Sequence, residues 1–243
     1  MMGFVYARYE LLRTFRNRRF WFFSLGFPLV FFWLIASPQH TKIIEHTGLT
    51  YAAYYMVSLA SFGTMMSMIS TGARIAGERQ VGWTRQLRIS PLSVRAYFRA
   101  KVLTGYAMAI LSLLLLYISG ALLGVSLPAG RWLAMTGLIA VGLLPFAGLG
   151  VFIGHLVNTD SVGPLMGGLI SILAFLGGTW FPITSGFLHS FGQFLPSWWL
   201  VQARNVALDG QGWDARGWVT VAAWTAIFAA GAAWAYRRDT GRV

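Results

Sequence analysis

The sequence predicts an all-α integral membrane protein with six transmembrane helices, and three observations lead there. Charged residues make up 11% of the 243 residues and hydrophobic ones 56%, with a mean hydropathy of +0.61; an ordinary soluble domain is roughly 25% charged. Six apolar runs approach the ~20 residues that a helix requires to cross a bilayer. Basic residues gather at the ends of alternate runs, as they do where charge sets orientation. The net charge of +12 therefore belongs to membrane topology, and no nucleic acid is expected as a partner. The absence of cysteine rules out disulfides, thiolate chemistry and cysteine metal sites.

Taken in order, residues 1–19 set Arg8, Arg13, Arg16, Arg18 and Arg19 among Phe4, Tyr6, Tyr9, Leu11, Leu12 and Phe15. Apolar residues at helical spacing with arginines between them predict a helix lying in the membrane interface. No cleavable signal is expected, because the first apolar run ends in ASPQH without a small-x-small site. The expected spans are 20–36, 51–73, 102–125, 132–154, 163–181 and 218–236. The segment 182–217 is apolar but broken by Pro182, Gly186, Gly192 and Pro196. Its pieces are too short to cross, so they predict re-entrant helices in the outer leaflet, covered by protein or facing water.

The stretch 74–101 is the only long polar interruption, and it carries seven of the nineteen basic residues. Gly82 permits a break, and 84–89 can form a short helix with Trp83 and Leu87 on one side. Ser90 is the expected cap of the next helix and Pro91 its first residue, where proline's missing N–H costs nothing. An amphipathic helix between two spans is what a membrane protein offers to a cytoplasmic partner.

Charge sets the orientation. With the N-terminus inside, fifteen of the nineteen basic residues are internal, and only Lys42, Arg131, Arg204 and Arg216 are external. Both termini are then cytoplasmic. Trp132, Trp180, Trp198, Trp199, Trp213 and Trp218 fall at the expected outer edge, where amphipathic rings favour the interface.

Within span two, Ser58, Ser61, Thr64, Ser67 and Ser70 recur every third residue, roughly on one helix face. They read either as a polar track along a substrate path, with Met65 and Met68 beside it, or as close helix packing. The pairs Gly120/Gly124, Gly150/Gly154 and Gly163/Gly167 point to close packing within the chain. His40, Glu45 and His46 do not have a metal-site spacing, so no metal is expected, and His155 and Asp160 suggest no catalytic role. No acidic residue falls clearly within an expected span, which argues against an ion-coupled carrier. GxxxxGK[ST] is also absent, so energy for uphill movement must come from another polypeptide.

The pattern Glu78-Arg79, Gly82-x-Thr84-x-x-Leu87-x-x-Ser90-Pro91-Leu92-Ser93 and Lys101 resembles the permease subunits of ABC-2 type exporters. So does Gly177-Gly178-Thr179-Trp180-Phe181-Pro182-Ile183, followed by Leu195-Pro196-x-Trp198-Trp199 and Arg204. The resemblance implies one permease domain over 1–243, without catalytic residues, in the bacterial plasma membrane. It also implies a second permease chain, as a homo- or heterodimer, and two copies of a separate ABC ATPase that binds ATP and Mg; this chain itself binds no cofactor. The coupling helix would be about 78–89, with Glu78, Arg79, Gly82, Trp83, Thr84, Leu87, Arg88 and Pro91 meeting the ATPase. The outer gate would include Phe181, Pro182, Pro196, Trp198 and Trp199. The expected substrate is amphipathic or hydrophobic: a drug, antibiotic or lipid-like molecule. A polysaccharide or glycolipid exporter and a non-transporting membrane anchor are the alternatives.

Overall fold

A computed structural model describes residues 2–83, 86 and 92–240. In chain order the helices are α1 (Met2–Phe15), α2 (Arg18–Trp21), α3 (Phe27–Ala36), α4 (Tyr51–Ala73), α5 (Ile75–Gln80) and α6 (Val94–Leu122). They continue with α7 (Ala129–Gly142), α8 (Leu144–Leu156), α9 (Thr159–Leu176), α10 (Gly186–Gly192), α11 (Pro196–Gln202), α12 (Val206–Asp209) and α13 (Ala215–Thr240). Among the described residues six helical stretches are long and apolar enough to cross a membrane: Phe22–Gln39, Tyr51–Gln80, Val94–Leu122, Ala129–Leu156, Thr159–Leu176 and Ala215–Asp239. This is the expected all-α membrane architecture.

The bundle is arranged around α4. The most apolar window of its span is 94% buried, against 17% for α9 and 11% for α13. Small side chains explain how it collects so many neighbours. A Cβ on Gly72 would lie 2.4 Å from the backbone carbonyl carbon of Gly150. One on Gly150 would lie 2.5 Å from the Ile69 carbonyl oxygen, and one on Gly154 would lie 2.5 Å from that of Gly72. The α4–α8 crossing is therefore backbone against backbone, the close approach that small residues permit between membrane helices. Of the other pairs, Gly120 packs on Met56 whereas Gly124 has φ +88° just past the end of α6. Gly163 and Gly167 have open space where a Cβ would be.

Prolines shape three of the spans. In the first, a π-helical turn (Phe22–Gly26) precedes α3. Pro28 has no N–H to offer the Ser24 carbonyl four residues back, and the Ser112 hydroxyl of α6 donates to that carbonyl instead, at 3.3 Å. The fourth span divides into α7 and α8 at Leu143, two residues before Pro145, while α9 retains Pro164 inside its first turns.

The third span begins earlier than expected, at Val94 rather than near 102. Its cap is Ser93, whose side chain accepts from the Ala96 N–H at 3.2 Å. Ser93 is extended, with φ −70° and ψ 146°, so it takes the capping role assigned above to Ser90. Ser90 and Pro91 lie outside the described residues.

Residues 2–15, 81–83, 92–93 and 237–240 share one end of the bundle, called here the basic end; residues 40–50, 123–128 and 177–214 occupy the opposite end. Gly150→Ala should drive a Cβ into the Ile69 backbone and cost roughly 1–3 kcal/mol. Gly137→Ala, where nothing lies within 4 Å, should be neutral or slightly stabilising. Thermal midpoints of the purified protein check both, and equal midpoints would remove the α4–α8 approach as a constraint.

Candidate functional site

At the basic end, α1 packs against α6 with its polar face inward. Glu10 and Thr14 are buried and Tyr6 is half-buried, whereas Val5, Tyr9, Leu12 and Phe15 are exposed. An outward apolar face with arginines around it suits a helix resting in lipid. Burial, reinforced by Glu78 and Glu10, raises the Tyr6 phenol pKa above its ordinary value.

Arg74 joins α4 to α5, so the second span continues to Gln80 and carries Glu78 inward. Glu78 and Lys101 are each 1% exposed. The Lys101 ammonium donates to Glu10 Oε1 at 2.6 Å and to Glu78 Oε1 at 2.5 Å. Glu78 Oε1 also accepts from Arg13 at 2.9 Å, and Glu78 Oε2 accepts from the Tyr97 hydroxyl at 2.6 Å. Two carboxylates thus face two cations in one network, the condition under which buried charge is tolerated. Beside it, Arg74 donates to Thr14 Oγ1 at 2.8 Å and to Thr71 Oγ1 at 3.2 Å.

This arrangement corrects the expectation that no acidic residue lies in a span. Glu78 belongs to the crossing-length stretch Tyr51–Gln80, but its oxygens are engaged by three donors. It is a structural tie, not an open carboxylate awaiting an ion.

Arg79 grips Asp239 of α13 in a fork, with Nε to Oδ2 at 2.8 Å and Nη2 to Oδ1 at 2.7 Å. Glu78 and Arg79, assigned above to a surface meeting a partner, thus direct their side chains to other helices of the same chain. Gly82 breaks the helix as expected, with φ +71°, in the left-handed region that favours glycine. Val81 before it and Trp83 after it are exposed. A cavity of about 560 Å³ opens between α1 and this turn, lined by Tyr6, Tyr9, Val81 and Trp83 over the ion-pair network. Thr84, Leu87, Arg88 and Pro91 lie outside the described residues.

The hydroxyl track of α4 is enclosed up to Ser67, and Ser70 is half-buried. Ser58, Ser61, Thr64, Met65, Ser67 and Met68 are all buried. Thr64 donates to the Ser61 carbonyl at 3.0 Å and Ser67 to the Gly63 carbonyl at 2.8 Å, while Ser61 reaches the Leu200 carbonyl of α11 at 3.1 Å. Met68 packs on Gly105, where a Cβ would come within 2.7 Å of its sulfur. Within one chain these residues pack helices together.

At the opposite end, Tyr54 and Tyr55 donate to the carbonyls of Gly178 and Trp180 at 2.7 and 2.9 Å. Phe181 is exposed, Pro182 half-buried and Pro196 buried at the first turn of α11. Trp198 meets His189 edge-on at 5.2 Å, and Trp199 Nε1 donates to the Gln193 carbonyl at 2.8 Å. Arg204 stacks 4.4 Å from the Tyr54 ring centroid, and burial lowers its pKa. Because Ser61 is ten residues into α4, its bond to Leu200 sets α11 about 15 Å along that helix.

Six crossing-length helices, an ion-paired basic end and a broken segment before the last span define a polytopic membrane protein of the permease type. A family model described as "ABC-2 family transporter protein" matches residues 36–235. The chain is also 31% identical over 194 residues, 78% of its own length and 78% of the relative's, to the Bacillus subtilis (strain 168) protein named "Putative transport permease YvfS". The chain belongs to the ABC-2 transporter family and is a membrane permease subunit. Membership implies association with an ABC ATPase and a dimeric arrangement in general.

Sequence reasoning missed the roles of Glu10, Tyr97 and Asp239. The available signal was scarcity: the chain has only seven acidic residues, and Glu10, Glu78 and Asp239 stand in its most basic segments. Lys101→Met should leave two carboxylates buried with their main partner removed, destabilising the protein by roughly 3–5 kcal/mol. Arg13→Gln, at a side chain 59% exposed, should cost at most about 1 kcal/mol. Adding Glu10→Gln to Lys101→Met should recover part of the loss. Thermal unfolding in detergent reads all three, and a wild-type midpoint for Lys101→Met would exclude the tie.

Proposed function

We propose that this permease works in an ATP-driven exporter of the bacterial plasma membrane, with both termini cytoplasmic. Two copies of a separate ABC ATPase bind ATP and Mg and drive it, and a second permease chain completes the pathway. The observation that carries this reading is how the turn at Gly82 is rooted. Immediately before it, Glu78 is tied to α1 and α6 and Arg79 to α13. A push received at the Gly82 turn would reach three other helices through the side chains of Glu78 and Arg79. Leu87 and Trp83 form the apolar contact with the ATPase, and Thr84, Arg88 and Pro91 flank it.

The substrate is amphipathic or hydrophobic, such as a drug, antibiotic or lipid-like molecule. Support comes from the aromatic group Phe27, Phe31, Phe62 and Trp180, whose ring centroids lie 4.4–6.1 Å apart near the opposite end. All but Phe62 are only partly buried, so this surface can turn toward a path shared with the second chain. Phe181, Pro182, Pro196, Trp198 and Trp199 border the exit.

ATPase activity of the co-purified complex in lipid should rise with such substrates. Leu87→Asp would bury an unpaired carboxylate in the apolar contact, a cost on the order of 3 kcal/mol, or more than about a hundredfold in docking. The variant should insert normally yet lose its ATPase and its export, while Leu87→Met should be nearly silent. Full co-purification and transport by Leu87→Asp would place docking elsewhere. Orientation is checked by single cysteines in this cysteine-free chain. Cysteines at Gly48, Ala129 and Gly210 should react with an impermeant thiol reagent outside intact cells, and those at Arg16 and Arg238 only after permeabilisation.

A further inference from the structure

Two adjoining grooves run along the outside of the bundle at the basic end. One, of about 330 Å³, lies between α6 and α13 with α8 as its floor. The other, of about 540 Å³, continues along α6, and the two share Phe98 and Val102. Their walls follow helical spacing. On α6 the face runs Arg95, Phe98, Arg99, Val102; on α13 it runs Ala229, Ala233, Tyr236, Arg237. Gly148 and Gly231 bring α8 and α13 together so closely that a Cβ on either would lie 3.0 or 3.2 Å from the facing helix. The small alanines above that crossing leave the space between α6 and α13 unfilled.

Polarity along the groove is one-sided. Its basic residues, Arg95, Arg99 and Arg237, all stand where the two antiparallel helices reach the basic end, and none of the described lining residues is acidic. Asp239, two residues beyond Arg237, is held in the fork of Arg79. From Arg95 to Leu103, or from Arg237 back to Ala229, eight helical residues give an apolar depth of about 12 Å. A slot this deep, apolar within and basic at one rim, matches a molecule with a hydrocarbon chain below an anionic head. Basic pockets between membrane helices bind lipid head groups in this way.

We propose that this groove binds an anionic phospholipid of the leaflet at the basic end. An acyl chain lies along Phe98, Val102 and Ala233, and the phosphate is met by Arg95, Arg99 and Arg237. The lipid would thereby join α6 to α13 across a gap that no described side chain fills.

Native mass spectrometry of the purified full chain, titrated with 1-palmitoyl-2-oleoyl phosphatidylglycerol or the phosphatidylcholine of identical chains, tests this. The wild type should bind the anionic lipid at least about tenfold more tightly than the zwitterionic one. Combined Arg95→Gln, Arg99→Gln and Arg237→Gln should abolish that preference. Combined Ala229→Leu and Ala233→Leu, at exposed positions, should reduce retention with every arginine in place. The charge control, Arg8→Gln with Arg16→Gln and Arg18→Gln, should bind like wild type. Equal affinity for the two lipids would overturn the proposal, as would equal loss in the charge control or full retention in the filled groove. So would an efficient Ala233→Cys disulfide between two copies in native membranes, which would give this face to a second chain.

Discussion

Lys101 stands between two carboxylates at the basic end of a largely apolar bundle, and the arrangement of α1, α5 and α6 depends on that meeting. A buried ammonium or carboxylate alone is far too costly to keep. Glu10 on α1, Glu78 on α5 and Lys101 on α6 therefore have to assemble together, with Arg13 and Tyr97 completing the bonds. The network adds little to stability over an apolar equivalent of similar volume. What it contributes is register: α1 is held against α6, and α5 cannot rotate without leaving a carboxylate unpaired.

Along the membrane-crossing part the constraint is different. There α4 is held by steric fit, with glycines on both sides of the α4–α8 crossing and hydroxyls bonded to carbonyls of their own helix. The exchange at Ser24, where Ser112 replaces the donor that Pro28 lacks, shows how a proline is accommodated in an apolar environment. At the basic end ion pairs fix the helices, and farther along shape does.

Much of this architecture was legible in the sequence because length, hydropathy and basic flanks are local properties. The number and approximate positions of the six spans, the break at Gly82 and the broken stretch around Pro182 and Pro196 could be read directly, whereas at the basic end the second and third expected spans fell short of Gln80 and Val94. Pairings were not legible, because Glu10 meets Lys101 across 91 residues and Arg79 meets Asp239 across 160. The hydroxyl ladder from Ser58 to Ser70 was ambiguous for a related reason. A three-residue period shows that a face exists without showing whether a helix or an opening lies against it. Ser90 and Ser93 offer the same capping chemistry to a sequence reading, and the bond from the Ala96 N–H identifies Ser93 as the cap of α6.

The long separations also impose an order on biosynthesis. As the chain leaves the ribosome, α1 emerges with Glu10 before any partner exists, and its carboxylate must stay hydrated at the membrane surface. The second span follows with the hydroxyl-rich face of α4 still uncovered and Glu78 unpaired. Only when the third span delivers Lys101 can both acids leave water together. The seam between Arg79 and Asp239 waits longer, for the last turns of α13. Insertion is thus separate from closure: the segment preceding Gly82 acquires its fixed geometry when the C-terminal helix has been made, so a truncated chain lacks the completed root.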